Sequence, residues 1–179
     1  MTVIHNRTEY TGIAKLFHWL ILALLVVQFA IAWTMPDIGR DSVPTGLIGW
    51  HLSVGAAILA VMIVRLAWRL THSAPPAPAD LAPALATLSR VTHYLLYAVL
   101  IVLPILGWAN ASARGWAVKL FGVVPLPALM AKGSALGHSL GDVHATLATI
   151  LLAIVALHVA GALYHAVVLK DRTVQRMLP

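Results

Sequence analysis

Nine histidines stand in a chain of 179 residues that has no cysteine, is 60% hydrophobic and is only 10% charged. Four of them, His18, His51, His144 and His158, fall inside long apolar stretches. A polar side chain in hydrocarbon is costly, so imidazoles at such positions face the interior of a helix bundle and serve a site. The absence of cysteine excludes disulfides, iron–sulfur clusters, covalently attached c-type haem and thiolate metal sites together. Imidazole, carboxylate and shape remain for holding a cofactor.

The elements that position these histidines follow from composition. Four apolar stretches, at about residues 16–35, 47–70, 92–110 and 138–169, are each long enough to cross a bilayer, which takes roughly 20 residues of helix. Backbone in hydrocarbon must satisfy its own hydrogen bonds, and the runs are continuous rather than alternating, so they are expected to be helices and not strands. The fold class is therefore all-α, an integral membrane four-helix bundle, read as one domain over residues 1–179. The first stretch ends in Ala30-Ile31-Ala32, which resembles a signal-peptide cleavage pattern, but it is long for one and carries His18. Pro36, Gly39, Pro44 and Gly46 break the first loop, and Ala74-Pro75-Pro76-Ala77-Pro78 cannot continue a helix in the second. The third connection, residues 110–137, is apolar enough to lie on the membrane or fold back over the bundle. The tryptophans fall near the span ends, where the interface favours them.

Charge sets the orientation. With the N-terminus inside, Arg7, Lys15, Arg65, Arg69, Arg90, Lys170, Arg172 and Arg176 are cytoplasmic, and Arg40, Arg114, Lys119 and Lys132 are outside. The positive-inside rule favours this arrangement, with both termini cytoplasmic in a multi-pass protein. The net charge of +6 is thus explained by topology and implies a lipid bilayer, not nucleic acid.

Depth then pairs the histidines. His158 follows His144 by 14 residues and His165 follows by 7 more. At about 100° per residue the three lie along one stripe of the fourth helix. At about 1.5 Å per residue His144 and His158 are about 21 Å apart, one near each side of the hydrocarbon. His18 lies early in a helix that starts inside, and His51 early in one that starts outside. Topology therefore predicts two cross-helix pairs, His18 with His158 at the inner level and His51 with His144 at the outer.

Facing imidazoles suit a metal held between them. No thiolate or carboxylate lies nearby, so a lone divalent ion would lack protein ligands. Haem iron needs only two axial ligands, because the porphyrin supplies the other four. The competing reading is hydrogen bonding between helices without a cofactor. Gly55, Gly141 and Gly161 each lie one turn from a paired histidine; they let a macrocycle approach the backbone, or equally let membrane helices pack closely. Arg65, level with the inner pair, either neutralises a haem propionate or snorkels to the interface. His93 begins the third helix without a complementary partner. His5 and His72 are expected to be solvated, and His138 to sit at the outer mouth. His165, with Lys15 and His93 at a similar level, forms a candidate quinone pocket in which imidazole donates a hydrogen bond or a proton.

These residues resemble the bacterial di-haem cytochrome b561 family, related to the cytochrome b subunits of nickel hydrogenases. The resemblance runs through Leu16-Phe17-His18-Trp19, His51-Leu52-Ser53-Val54-Gly55, Val64-Arg65-Leu66, His93-Tyr94-Leu95-Leu96-Tyr97 and Leu103-Pro104-Ile105-Leu106-Gly107. It continues in Asp142-Val143-His144, His158, Lys170-Asp171 and Arg176-Met177-Leu178-Pro179. It implies two haems b with His18, His51, His144 and His158 as axial ligands, in the bacterial inner membrane. It extends to superoxide oxidase members, which implies an oxidoreductase that passes electrons from superoxide at the outer side to ubiquinone. Arg114, Lys119 and Lys132 against Asp142 give the outer loop a positive bias that attracts an anion. Two other functions fit the same residues. One is an electron-transfer subunit docked on a redox partner protein such as a dehydrogenase or hydrogenase; the other is a histidine-lined metal or proton transporter.

Overall fold

The computed structural model describes residues 9–39, 41–76 and 81–179. His5, Arg7, Arg40 and the Ala77-Pro78 step lie outside them. Among the described residues, four helices are long and apolar enough to cross a membrane. Helix α1 spans Gly12–Thr34 and starts where the Thr11 side chain accepts a hydrogen bond from the Ala14 amide at 3.2 Å. Helix α2 spans Gly46–Thr71 and begins at a glycine with φ of +56°, just after Pro44. Helix α3 spans Pro83–Ala113, with a proline in its first turn and Pro104 inside it. Helix α4 spans Ala135–Tyr164, capped by Ser134, whose hydroxyl accepts from the Gly137 amide at 3.2 Å.

The start of α3 and the local geometry at the end of the fourth span depart most from the sequence reading. α3 starts at Pro83 rather than near residue 92, because a proline at the head of a helix has its φ already set and no amide to lose. The polar turns before the apolar run are helix as well. At the other end of the chain, α4 gives way to a π turn over His165–Leu169, which Lys170 ends in a left-handed conformation at φ +51°.

The packing is that of an up-and-down bundle: α1 lies on α2, α2 on α3, and α3 most extensively on α4. Ile21, Val54, Ile58, Met62, Val99, Leu100 and Leu151 form the buried core. Large apolar side chains such as Val26, Trp33, Leu163 and Val167 point outward and are exposed. In water that surface would be a severe liability; in lipid it is the solvated face.

Each end of the bundle carries a cover. Between α3 and α4 the chain forms the one ribbon among the described residues, β1 (Lys119–Leu120) paired antiparallel with β2 (Val124–Pro125). It folds back over the bundle. The Trp108 indole N–H donates to the Pro127 carbonyl at 3.0 Å, the Leu129 amide to Ser112 Oγ at 3.1 Å, and Val118 is buried beneath. At the opposite end, the tail after α4 is held down by the Trp19 indole N–H on the Met177 carbonyl and by Arg176 on the Pro76 carbonyl, both at 2.9 Å.

Candidate functional site: two histidine pairs

The helices bring the four intramembrane histidines together as two pairs at two levels. His18 of α1 faces His158 of α4 with ring centres 6.1 Å apart, and His51 of α2 faces His144 of α4, also at 6.1 Å. A metal–imidazole bond is about 2 Å and the ring centre lies about 1 Å behind its nitrogen, so two rings on one metal sit about 6 Å apart. Both pairs have that spacing.

The pair at the ribbon end is the better defined. His51 and His144 line a cavity of about 380 Å³, within the usual range for cofactor sites. Its walls are mostly apolar, with Leu25, Phe29, Ile58, Leu59 and Leu100 among them, and Arg114, His138 and Asp142 also border it. The sequence puts His138 at a mouth, and the structure has it on this wall. His144 is oriented by its Nδ1–H, which donates to the Leu103 carbonyl of α3 at 2.9 Å and leaves Nε2 free. That approach depends on Gly107: a Cβ there would lie 2.9 Å from His144 Cε1. His51 Nδ1 is buried without a hydrogen-bond partner, and so is the side-chain oxygen of Gln28 on α1 beside it.

The glycines singled out from the sequence have different surroundings. Gly55 borders the cavity, where a Cβ would meet the Gln28 amide at 3.4 Å. A Cβ at Gly141 would run into the Asn110 amide at 2.7 Å, so this glycine admits the α3 side chain that bonds the Gly137 and His138 carbonyls. Gly161 faces open space.

At the termini end the structure adds a third ring. His93, which the sequence leaves without a partner, packs edge-on against His158 at 5.1 Å, closer than His18 does. The early start of α3 is the reason: His93 sits well inside the helix rather than at its head. By the same arithmetic its spacing is too short for a shared metal. Its Nδ1 lies 2.6 Å from the Ser89 carbonyl of its own helix. Arg65 bonds the Tyr97 hydroxyl at 3.2 Å and lies over its ring, with no carboxylate partner among the described residues. His72 is not simply solvated; it stacks on Trp68 with ring centres 3.6 Å apart.

Of the three residues read as a quinone pocket, Lys15 pairs with Glu9 at 3.3 Å, and among the described residues no hydrogen bond or ion pair joins it to His165 or His93. His165 has a partner that sequence reasoning missed. Its Nδ1–H donates to Asp171 at 2.6 Å, across the π turn, while the other carboxylate oxygen accepts from the Thr173 amide at 2.8 Å. Burial acts to raise the Asp171 pKa, but the hydrogen bonds from His165 and Thr173 outweigh it and hold the carboxyl below its ordinary value of 3.8.

A family model described as prokaryotic cytochrome b561 matches residues 9–179. The chain belongs to this family. It is 34% identical to a probable superoxide oxidase CybB of Yersinia pestis, over 96% of both chains. It is 28% identical to cytochrome b561 homolog 2 of Escherichia coli K12, covering 99% of this chain and 95% of the relative. Cytochrome b562 of Cereibacter sphaeroides is 29% identical over 94% of each chain. As a cytochrome b561 family protein, the chain is a bacterial membrane protein of electron transport, and b-type haem is the cofactor the family implies. Its residues fit such a group: imidazole pairs at metal spacing and a mostly apolar cavity at one of them.

Proposed function

We propose that this cytochrome b561 family protein is a single-domain di-haem cytochrome of the inner membrane, with both termini cytoplasmic, that transfers electrons from superoxide to ubiquinone. The observation that carries the reading is the matched 6.1 Å separation of two histidine pairs at two depths. His18 and His158 would hold the inner haem, His51 and His144 the outer. Bound haem supplies a one-electron carrier at each level. The overall reaction balances as two superoxide ions and one ubiquinone, with two protons, giving two dioxygen molecules and one ubiquinol.

The protein's own groups divide the work. The apolar cavity keeps water from the outer pair, and Leu103 fixes the tautomer of His144. Gly55 leaves room at the cavity wall. Arg114 borders the cavity, and with Lys119 and Lys132 on the same side it biases the surface towards an anion. Arg65, tied to Tyr97, is a cation free to meet a haem propionate at the inner level. At the cytoplasmic end, Asp171 accepts the hydrogen bond of His165 Nδ1–H and leaves Nε2 to meet the quinone. Nε2 is then the ring atom that passes a proton to a quinone oxygen and is recharged from water. His93 and Lys15 would border the same pocket. The relative's description as a probable superoxide oxidase supports the choice of donor.

The test is direct. Purified protein in vesicles with ubiquinone is exposed to a steady flux of superoxide, and ubiquinol is measured. One ubiquinol formed for every two superoxide ions consumed is expected. No ubiquinol from a haem-loaded protein would overturn the assignment of the donor and return the electron-transfer-subunit reading.

A further inference from the structure

The ribbon end of the bundle holds a second cavity, of about 420 Å³, also within the usual range for small-molecule sites. It shares two walls with the histidine cavity. In the segment leading into β1, Trp116 and Val118 border the histidine cavity, and the alternate residues Ala117 and Lys119 border the second. On α2, His51 borders the first cavity, Ser53 the second and Leu52 both. No residue given a part in holding haem or quinone lines this second cavity.

Its polar groups suit an anion. No Asp or Glu lines it, and Lys119, which does, has no carboxylate partner among the described residues. α2 begins beside it without a side-chain cap on Thr45. The first amides of a 26-residue helix, and the positive end of its dipole, are therefore open to a ligand. Gly46 lines the cavity there and puts no side chain over them. Ser53 is an independent sign of a ligand. It is only 4% exposed, it stands on the cavity wall, and its Oγ has no hydrogen-bond partner. A serine inside a helix ordinarily bonds the carbonyl four residues back. Here the hydroxyl is left over, in a region where an orphan is costly.

The rest of the lining is apolar and open to the surroundings. Trp50 is 58% exposed and Phe121 64%. Aromatic rings at the end of a membrane span meet the headgroups and the first methylenes of the chains. Donors inside and aromatic rings at the rim match a molecule with a phosphate and a hydrocarbon tail.

We propose that this cavity binds the phosphodiester of a membrane phospholipid, with Lys119, the α2 amides and Ser53 Oγ as its donors and an acyl chain laid along Trp50 and Phe121. The occupant touches both α2 and the ribbon, so it pins the cover that lies over the histidine cavity. Free phosphate offers the same head chemistry without the chain.

The experiment is native mass spectrometry of the full-length protein, purified in detergent and washed free of lipid. The probes are dioleoyl phosphatidylglycerol, dioleoylglycerol, which keeps the chains without the phosphate, and inorganic phosphate. One phosphatidylglycerol per chain is expected to bind at least about tenfold more tightly than dioleoylglycerol, and inorganic phosphate should not displace it. Lys119→Glu reverses a charge beside an anion, and Ser53→Ala removes a hydrogen bond to a charged group; each should weaken that binding about tenfold. Haem content and helix content should stay as in wild type. Equal affinity in wild type, Lys119→Glu and Ser53→Ala would overturn the site. Dioleoylglycerol held as tightly as phosphatidylglycerol would overturn recognition of the phosphate, and displacement of the lipid by inorganic phosphate would overturn the lipid as occupant. Should Ser53→Ala fail to fold, Lys119→Glu, at an exposed position, decides alone.

Discussion

Gly107→Ala adds one methyl group to α3 and is expected to cost the protein its outer haem. The new Cβ would lie 2.9 Å from His144 Cε1 and 3.1 Å from its Nδ1. Carbon atoms prefer about 3.5–4.0 Å, so the ring must retreat by roughly 0.6–1 Å. His144 Nδ1 is now 2.9 Å from the Leu103 carbonyl. A retreat of that size takes the contact past the point at which it counts as a hydrogen bond. The ring nitrogen is then orphaned in an apolar cavity, at about 1–3 kcal/mol. Loss of such an orienting partner also weakens metal binding, typically about 10–100-fold. The methyl itself favours the helix by about 0.5–1 kcal/mol, so α3 has no reason to unravel. The assay is haem per chain with circular dichroism alongside. Near-native helix content with about one haem per chain is expected. Gly107→Ala with full haem content and an unchanged spectrum would refute the claim that this glycine admits a ligand histidine.

Removing either member of a pair should have the same effect. His51→Ala and His144→Ala each abolish one spectral component, His18→Ala and His158→Ala the other, and a mixed pattern would contradict the pairing. His165→Ala is expected to keep both haems, and their reduction by the donor, while quinone reduction falls by about 10²-fold or more, the usual contribution of a positioned proton donor. Asp171→Asn should retain haem and shift the pH profile of quinone reduction; an unmoved profile would leave the carboxylate with only a structural part. Acid should release the tail. The folded Asp171 pKa lies below its ordinary 3.8, so its contribution is present above pH 3.8 and is lost as pH falls below that through the folded value. Hydrogen exchange of residues 170–179 should therefore quicken below about pH 4 in wild type, and the change should be absent in Asp171→Asn.

The spans and the depth of their histidines were legible in the sequence because both rest on one-dimensional quantities, apolar length and rise per residue. His51 and His144 meet, and His18 and His158 meet, because antiparallel neighbours of fixed length leave little choice of level. The features that escaped depend on lateral contacts or on local backbone departures. His93 reaches His158 because Pro83 starts α3 before the apolar run begins, and hydropathy marks only the run. Asp171 finds His165 across a π turn, which no periodic pattern announces. Gly107 stands in a recognisable segment, but its reason is a ring on another helix. Gln28, a lone amide in the middle of an apolar span, was the one signal present in the sequence that composition alone should have raised.

The central claim is that two imidazole pairs each hold a b-type haem. A dithionite-reduced minus oxidised spectrum of the purified protein, quantified per chain by the pyridine haemochrome assay, tests it most directly. Reduced b-type α-bands and about two haems per chain are expected. One haem per chain, or a colourless protein, would contradict it.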